Sequence, residues 1–164
     1  MLMKIGVLSD THMRQPLQNM DFFGRLLAGP FADVAMILHA GDLVDDDVVC
    51  CFGSCPVHAV RGNMDPAASR LPAKRIVDAG RFSIGLCHGW GPPEGLERRV
   101  LNEFSNQAID CLVFGHSHAP VCHELDGVLL LNPGSAVNPR GWPHPTVGLL
   151  EVGEGLTGRI IPLL

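Results

Sequence analysis

Five short clusters in the sequence carry side chains that bind metal ions. They are Asp10-Thr11-His12, Gly41-Asp42, Gly62-Asn63-Met64-Asp65, His88-Gly89 and Gly115-His116-Ser117-His118. Divalent ions such as Mn²⁺ and Fe²⁺ accept oxygen and imidazole ligands at the same site. The clusters contribute carboxylate, amide and imidazole groups in numbers that suit two ions sharing one carboxylate. The predicted ligands are Asp10, His12, Asp42, Asn63, His88, His116 and His118.

The spacing within two of the clusters favours a shared direction for their side chains. Asp10 and His12 are two residues apart, and so are His116 and His118. Residues i and i+2 lie on the same face of an extended chain, so we expect both members of each pair to face the same side. One such pair is weak evidence for a metal site, because most are surface or core features. The order of all five clusters carries the prediction.

The first two-thirds of the chain alternates strand-like and helical segments. Apolar runs over residues 3–9, 34–39 and 56–61 predict strands, each followed by a polar cluster. Residues 17–28 and 45–52 predict the connecting helices, the second beginning with an acidic first turn that suits a helix N-terminus. Strands that alternate with helices in this way indicate a core sheet of parallel strands. The clusters then lie at the carboxyl ends of neighbouring strands.

The later part of the chain is predicted to be mostly strands. The strand-like runs cover residues 83–87, 111–114, 120–125, 128–131, 147–152 and 156–161. Asp126-Gly127 has the residue types that accept the positive φ angles of a type I′ turn, and Glu154-Gly155 could form a similar hairpin. One amphipathic helix is predicted over residues 94–104. We infer two packed β-sheets flanked by helices.

Length and composition are those of one globular domain over residues 1–164. The net charge of −5 provides no general attraction to nucleic acid, so strong nucleic-acid binding is not expected. No apolar run approaches the length that spans a membrane, and the N-terminus lacks the pattern of a signal peptide. The six cysteines are therefore expected to be reduced, and the expected compartment is the cytoplasm.

The five clusters, taken in order, resemble the calcineurin-like metallophosphoesterase family, in particular its small bacterial and archaeal phosphodiesterase branch. The resemblance covers residues 3 to about 140 and includes Asn132-Pro133-Gly134-Ser135. It implies an α/β (α+β) fold, a four-layer αββα sandwich of two mixed sheets. It also implies that Asp42 bridges two ions. The first ion would be held by Asp10, His12, Asp42 and His118, and the second by Asp42, Asn63, His88 and His116.

The resemblance implies that this ligand set hydrolyses a phosphodiester. Two neighbouring cations lower the pKa of a water between them towards about 7, so a bridging hydroxide can attack phosphorus at neutral pH. Asn63 could also donate its amide N–H to a phosphoryl oxygen. Mn²⁺ is the expected metal, with Ni²⁺, Fe²⁺, Zn²⁺ and Mg²⁺ as alternatives. The expected substrate is a small phosphodiester with a good leaving group.

Met64 departs from the family pattern. Many members of the wider family have a histidine after the motif's asparagine, and that histidine is thought to protonate the leaving group. Met64 has no proton to donate, and such acid catalysis is typically worth about 10²–10⁴-fold in rate. Asp65 is therefore a candidate catalytic acid together with Asn63, although a loop cap or hydrogen-bond acceptor is an equally good interpretation.

Several other interpretations stay open at this point. The main alternative function is a non-catalytic protein-interaction scaffold, because a retromer subunit resembles these enzymes. A nuclease is another alternative function. Relatives commonly form homo-oligomers, so a homo-oligomer is possible here. His39 could orient a ligand or simply be buried. Arg61 and Arg140 could bind phosphate or make surface ion pairs. Trp90 and Trp142 either rim the cleft or anchor loops.

Overall fold

The chain folds into two mixed β-sheets of five strands each, packed face to face. The computed structural model describes residues 2–164. In spatial order, the first sheet contains β10 (Leu156–Pro162), β9 (Thr146–Val152), β1 (Met3–Leu8), β2 (Met36–His39) and β3 (Val57–Ala59). The second sheet contains β4 (Lys74–Ala79), β5 (Phe82–Cys87), β6 (Cys111–Val113), β8 (Val128–Asn132) and β7 (Val121–Leu125).

Each sheet has three neighbouring parallel strands. They are β1, β2 and β3 in the first sheet and β5, β6 and β8 in the second, while the remaining strands pair antiparallel. The carboxyl ends of parallel strands meet at one edge of a sheet, and ligand sites of α/β proteins form there. Polar loops after five of these strands therefore come together at one edge of the sandwich.

Three apolar layers hold the sheets and helices together. The central layer lies between the sheets and includes Ile5, Leu38, Ile84 and Val113. A second layer packs the first sheet against helix α1 (Met20–Ala28) and a short 3₁₀ helix (Asp46–Cys50). A third packs the second sheet against helix α2 (Leu96–Asn102). The predicted αββα sandwich is confirmed.

The helices are shorter than the sequence pattern predicts. Residues 45–52 form a 3₁₀ helix over Asp46–Cys50, with the Asp45 side chain accepting a bond from the backbone N–H of Asp47. Residues 94–104 contain an α-helix only over Leu96–Asn102, because Gly95 precedes it in a left-handed conformation. None of the helices within residues 2–164 combines the length and apolar composition needed to cross a membrane.

Strand β4 was absent from the predicted elements, whereas the β7–β8 hairpin was predicted. The side chains of β4 alternate between exposed and buried positions, and only Val77 and Ala79 are buried. An edge strand of this kind lacks the continuous apolar run on which the prediction relied. At the β7–β8 hairpin, Asp126 and Gly127 have φ angles of 53° and 80°, as a type I′ turn requires.

Two glycine-to-alanine substitutions should shift stability in opposite directions. A Cβ at Gly6 in β1 would lie 2.9 Å from ring carbons of the buried Phe31, so Gly6→Ala should reduce the free energy of unfolding by about 1–3 kcal/mol. Gly24 in α1 is exposed and has no atom within 4 Å of such a Cβ. Gly24→Ala should raise stability by about 0.5–1 kcal/mol. Urea denaturation measures both changes, and equal effects would contradict the packing at Gly6.

Candidate metal centre

The predicted ligand residues converge at the shared edge of the two sheets. Possible ligand atoms of Asp10, His12 and His118 all lie within 4.8 Å of one another, and those of Asp10, Asp42 and His88 form a second such group. The loops that follow β1, β2, β5 and β6 supply these residues. Residues far apart in the chain therefore form two adjoining groups, each able to hold one ion.

Asparagine and histidine side chains extend the second group. The Asn63 amide oxygen lies 3.1 Å from His88 Nε2 and 3.1 Å from His116 Nδ1. The Nε2 atoms of His12 and His118 lie 3.2 Å apart in the first group. All seven predicted ligands are thus in contact with at least one other. His116 and His118, although two residues apart, reach different halves of the centre.

Two carboxylates lie between the halves. Asp10 Oδ1 is 3.3 Å from His118 Nε2 and 3.8 Å from His88 Nε2. Asp42 Oδ2 is 3.3 Å from His88 Nε2 and 3.6 Å from His12 Nε2. Both carboxylates therefore approach imidazoles of both groups. The family resemblance selects Asp42 as the bridge, and the geometry is compatible with bridging by either residue.

Backbone carbonyls set the protonation of three histidines. His88 Nδ1 lies 2.7 Å from the Ala40 carbonyl, His118 Nδ1 lies 2.7 Å from the Asn138 carbonyl, and His116 Nε2 lies 2.8 Å from the Gly91 carbonyl. A carbonyl oxygen only accepts, so each of these nitrogens carries the proton. In the neutral form that binds a metal ion, the other nitrogen of each ring presents its lone pair to the centre. Metal-binding histidines are oriented in the same way.

The centre concentrates acceptors without a fixed positive charge. Asp10 and Asp42 are buried, Asp10 Oδ1 has no hydrogen-bond partner, and no lysine or arginine of residues 2–164 pairs with either carboxylate. Burying an unpaired carboxylate costs free energy, and so does directing two lone pairs at each other. Divalent cations would offset both costs. The residues present therefore fit a metal centre.

The electrostatics of the carboxylates favour their charged form. Burial raises the pKa of Asp10, but contacts with His118 and His12 outweigh burial and hold that pKa well below its usual value. Burial likewise opposes ionisation of Asp42, and its contact with His88 lowers the pKa. Burial lowers the pKa of His88, but the bond to Asp42 raises it overall. The two aspartates are thus charged at neutral pH, as metal ligands must be.

The loops hold their ligands in left-handed backbone conformations. The φ angles are 54° at Asp10, 43° at His12, 56° at Asp42, 70° at His116 and 58° at His118. A non-glycine residue in this region costs roughly 1–2 kcal/mol, and such strain is concentrated at functional sites. Asp10 and His12 do reach one group, as their spacing predicts. The reason is different, however, because the chain there is not extended.

Glycines in the clusters make room for ligand side chains. A Cβ at Gly41, whose φ is 98°, would lie 2.8 Å from His88 Nδ1. A Cβ at Gly62 would overlap the Asp42 carboxylate, and one at Gly115 would lie 2.6 Å from Asp10 Oδ2. These glycines are therefore required by close approach of the side chains that converge on the centre.

Asp65 faces the backbone of the ligand loops. Its carboxylate accepts bonds from the N–H groups of Asp42 at 2.9 Å, Gly62 at 2.6 Å and Val44 at 2.6 Å. In return, Asp42 Oδ1 accepts a bond from the N–H of Met64 at 2.8 Å. These bonds connect the loops after β2 and β3. The geometry favours the hydrogen-bond acceptor interpretation of Asp65 over the catalytic acid.

His39 connects the loops after β1 and β2. Its Nδ1 accepts a bond from the Gly41 N–H at 3.2 Å, so Nε2 carries the proton and donates to Thr11 Oγ1 at 3.1 Å. Burial lowers the pKa of His39 to about 3, which keeps the ring neutral. The contacts favour the orienting role that the sequence left open.

Two serines near Asp10 were not recognised in the sequence as parts of the site. Ser9 Oγ donates to Asp10 Oδ2 at 2.6 Å, and Ser135 Oγ donates to the Asp10 carbonyl at 2.8 Å. Ser135 belongs to the noted Asn132-Pro133-Gly134-Ser135 segment, whereas no pattern singled out Ser9. By contrast, no hydrogen bond or ion pair in residues 2–164 joins the Arg140 or Trp142 side chain to the centre.

Comparison with known proteins agrees with this geometry. The model of the calcineurin-like phosphoesterase superfamily domain matches residues 3–155. A probable metallophosphoesterase of Methanothermobacter thermautotrophicus is 36% identical over 162 residues, covering 97% of this chain and 92% of that protein.

Solved structures show the same fold at lower sequence identity. An archaeal phosphodiesterase has a TM-score of 0.73 at 24% identity, with 98% of this chain and 100% of that chain covered. Vacuolar protein sorting 29 from Cryptosporidium parvum has a TM-score of 0.75 at 23% identity, with 99% and 92% covered. The family match spans nearly the whole chain and all five clusters. This chain belongs to the calcineurin-like phosphoesterase superfamily.

Proposed function

We propose that the chain is a metal-dependent phosphodiesterase with a dinuclear centre. The observation that carries the proposal is Asp10 Oδ1, a buried carboxylate oxygen without a hydrogen-bond donor, among imidazole lone pairs. Asp10, His12, Asp42 and His118 would hold one ion, and Asp42, Asn63, His88 and His116 the other. Residues 1–164 would act as one domain, with Mn²⁺ as the preferred metal.

The chain's own residues prepare the centre for the reaction. When bound, two divalent cations supply an acidic water and neutralise charge on a phosphoryl group. His88, His116 and His118 keep their lone pairs inward because backbone carbonyls hold the opposite ring nitrogens. The exposed Asn63 amide can donate an N–H to a substrate oxygen. No side chain needs to form a covalent bond to phosphorus.

The expected substrate is a small phosphodiester with a good leaving group. Met64 is 57% exposed and offers no proton, and the Asp65 carboxylate is occupied by three backbone N–H groups. The leaving group must then depart without strong acid catalysis from these two residues. The acidic chain, with a net charge of −5, favours small substrates over a nuclease activity. The cytoplasm remains the predicted compartment.

A protein-interaction scaffold is the second candidate. A groove of about 620 Å³ lies between α1 and the end of β10, and its lining includes Phe22, Leu26, Ile161 and Leu163. An exposed apolar groove of this kind is suited to a protein partner. Measured turnover distinguishes the two functions. The complete set of charged metal ligands favours the enzyme, because a scaffold does not need it.

Metal addition should restore activity to the metal-free protein. After chelator treatment and dialysis, we expect no hydrolysis of bis(p-nitrophenyl) phosphate, and recovery on addition of Mn²⁺. The matching monoester should be hydrolysed more slowly. Circular dichroism before and after chelation checks that the protein stays folded. A folded protein that binds Mn²⁺ in calorimetry but hydrolyses neither ester would favour the scaffold.

Asp42→Asn should disturb both ions together. Loss of a charged ligand should lower kcat/KM for the diester by at least about 100-fold and reduce the bound Mn²⁺. Asp47→Asn is the matched control, since Asp47 is exposed, follows the same strand and belongs to neither ligand group. Activity and metal content are measured on the same preparations. An Asp42→Asn protein with unchanged turnover would contradict the proposed ligand set.

Asp65→Asn separates positioning from acid catalysis. The substitution replaces one acceptor oxygen with an amide NH₂ group, which only donates, and should cost about 1–3 kcal/mol of stability. As a positioning residue, Asp65 should affect diesters of good and poor leaving groups by the same factor, and its loss should weaken Mn²⁺ binding. A general acid would instead give a loss that grows with the leaving group's pKa. A series of aryl and alkyl diesters measures this dependence.

A further inference from the structure

A small recess opens beside the candidate metal centre. It has a volume of about 250 Å³, and Asn63 and His88 form part of its wall. Arg61, Lys74, Glu103 and Trp90 also line it. An apolar cavity of roughly 150 Å³ can accommodate benzene, so this recess has room for an aromatic ring. A group attached to a phosphate at the centre could therefore extend directly into it.

The backbone on both sides of Trp90 is held in place. The Arg99 side chain donates to the carbonyls of Trp90 at 3.1 Å and Glu94 at 2.8 Å, and also to the carbonyl of Pro92. His116 Nε2 donates to the next carbonyl, that of Gly91. Trp90 is nevertheless 45% exposed. The loop thus presents a large aromatic surface on a fixed backbone.

Glycines explain how the chain turns around Trp90. Gly89 and Gly91 have φ angles of 100° and 79°, which other residues rarely adopt. A Cβ at Gly89 would also lie 3.0 Å from Leu96 Cδ1. The loop therefore depends on a glycine on each side of the tryptophan.

Arg61 is the available cation in the recess. Its backbone N–H donates to the Pro72 carbonyl at 2.9 Å, which fixes the main chain, while its guanidinium has no hydrogen bond or ion pair within residues 2–164. Lys74, in contrast, donates to the Glu103 carbonyl at 2.7 Å and lies 3.6 Å from the Glu103 carboxylate. The guanidinium is thus free for a ligand, and it can both stack and donate hydrogen bonds.

We propose that this recess binds the retained substituent of a phosphodiester when that substituent carries a planar aromatic group such as a nucleobase. Trp90 provides the stacking surface, and Arg61 donates to acceptors on the ring or stacks on it. The proposal rests on the phosphodiesterase function and adds a substrate class to it. Nucleoside-containing diesters are then preferred over alkyl diesters.

Substrates with one common leaving group test this preference. Methyl p-nitrophenyl phosphate, bis(p-nitrophenyl) phosphate and thymidine 5′-(p-nitrophenyl) phosphate all release p-nitrophenolate, so they differ only in the retained substituent. Trp90→Ala should lower kcat/KM for the two aromatic substrates by about 5-fold to 100-fold. The methyl ester should change by less than about twofold, since it has no ring to stack. Trp90→Phe should recover most of the loss, and Arg61→Gln should impair the thymidine ester most.

Trp142→Ala serves as the matched control, because Trp142 is 47% exposed and does not line the recess. It should leave the ratio between the three substrates unchanged. Equal losses on all three substrates in Trp90→Ala, or no loss on any, would overturn the recess proposal while leaving the phosphodiesterase function intact.

Fluorescence provides a test that needs no turnover. The chain has two tryptophans and no tyrosine, so Trp142→Phe leaves Trp90 as the only strong emitter. Titration of this variant, loaded with Mn²⁺, with adenosine 5′-monophosphate should give saturable quenching, and Arg61→Gln should weaken it. Trp90→Phe, in which only Trp142 emits, should show none. Absence of quenching at Trp90 would contradict the proposal, whereas quenching without diester hydrolysis would support the recess and contradict the enzyme.

Discussion

Two buried carboxylates at one edge of the β-sandwich set the requirements for the rest of the centre. Asp10 and Asp42 are charged, close to the same imidazoles and without a lysine or arginine partner in the part of the chain described. In a low-dielectric environment such an arrangement is stable only if cations or hydrogen-bond donors compensate it. Ser9 and the N–H of His116 donate to one oxygen of Asp10, and the other oxygen is left for an ion.

The loops that carry these groups support one another. The backbone N–H groups of Asp10 and His12 donate to the carbonyls of Gly41 and Asp42 at 3.0 and 2.9 Å, so the pairing of β1 and β2 continues into their loops. Asp65 adds three bonds between the loops after β2 and β3. These contacts offset the strain of the left-handed ligand residues, because a backbone held from several sides has no relaxed alternative. Hydrogen bonds between the loops thus hold the candidate ligands in place within the protein itself.

Positioning residues divide the surroundings of the centre into a structural side and an open side. Asp65 and His39 connect backbone segments beneath the ligands, and neither presents a proton donor to a substrate. On the other side, Arg61, Asn63 and Trp90 are exposed and line the recess. Met64 has no proton to donate. Under the proposed function, this side would therefore contribute to binding of the substrate and not to proton transfer. Under that function, selectivity would then come from the group attached to phosphorus.

The order of elements, the layered fold and the identities of the polar clusters could be predicted from the sequence, because hydrophobic periodicity and residue type are local properties. The type I′ turn at Asp126 was predictable for the same reason, whereas the edge strand β4 was missed because its pattern is half polar. The histidine nitrogen that faces the centre depends on carbonyls of distant loops, at Ala40, Gly91 and Asn138. The bonds of Asp65 and the recess beside Trp90 likewise join segments that meet only in the folded chain. Tertiary structure alone decides these features, since a hydrogen bond or a cavity depends on where two segments lie in space and not on either segment's composition.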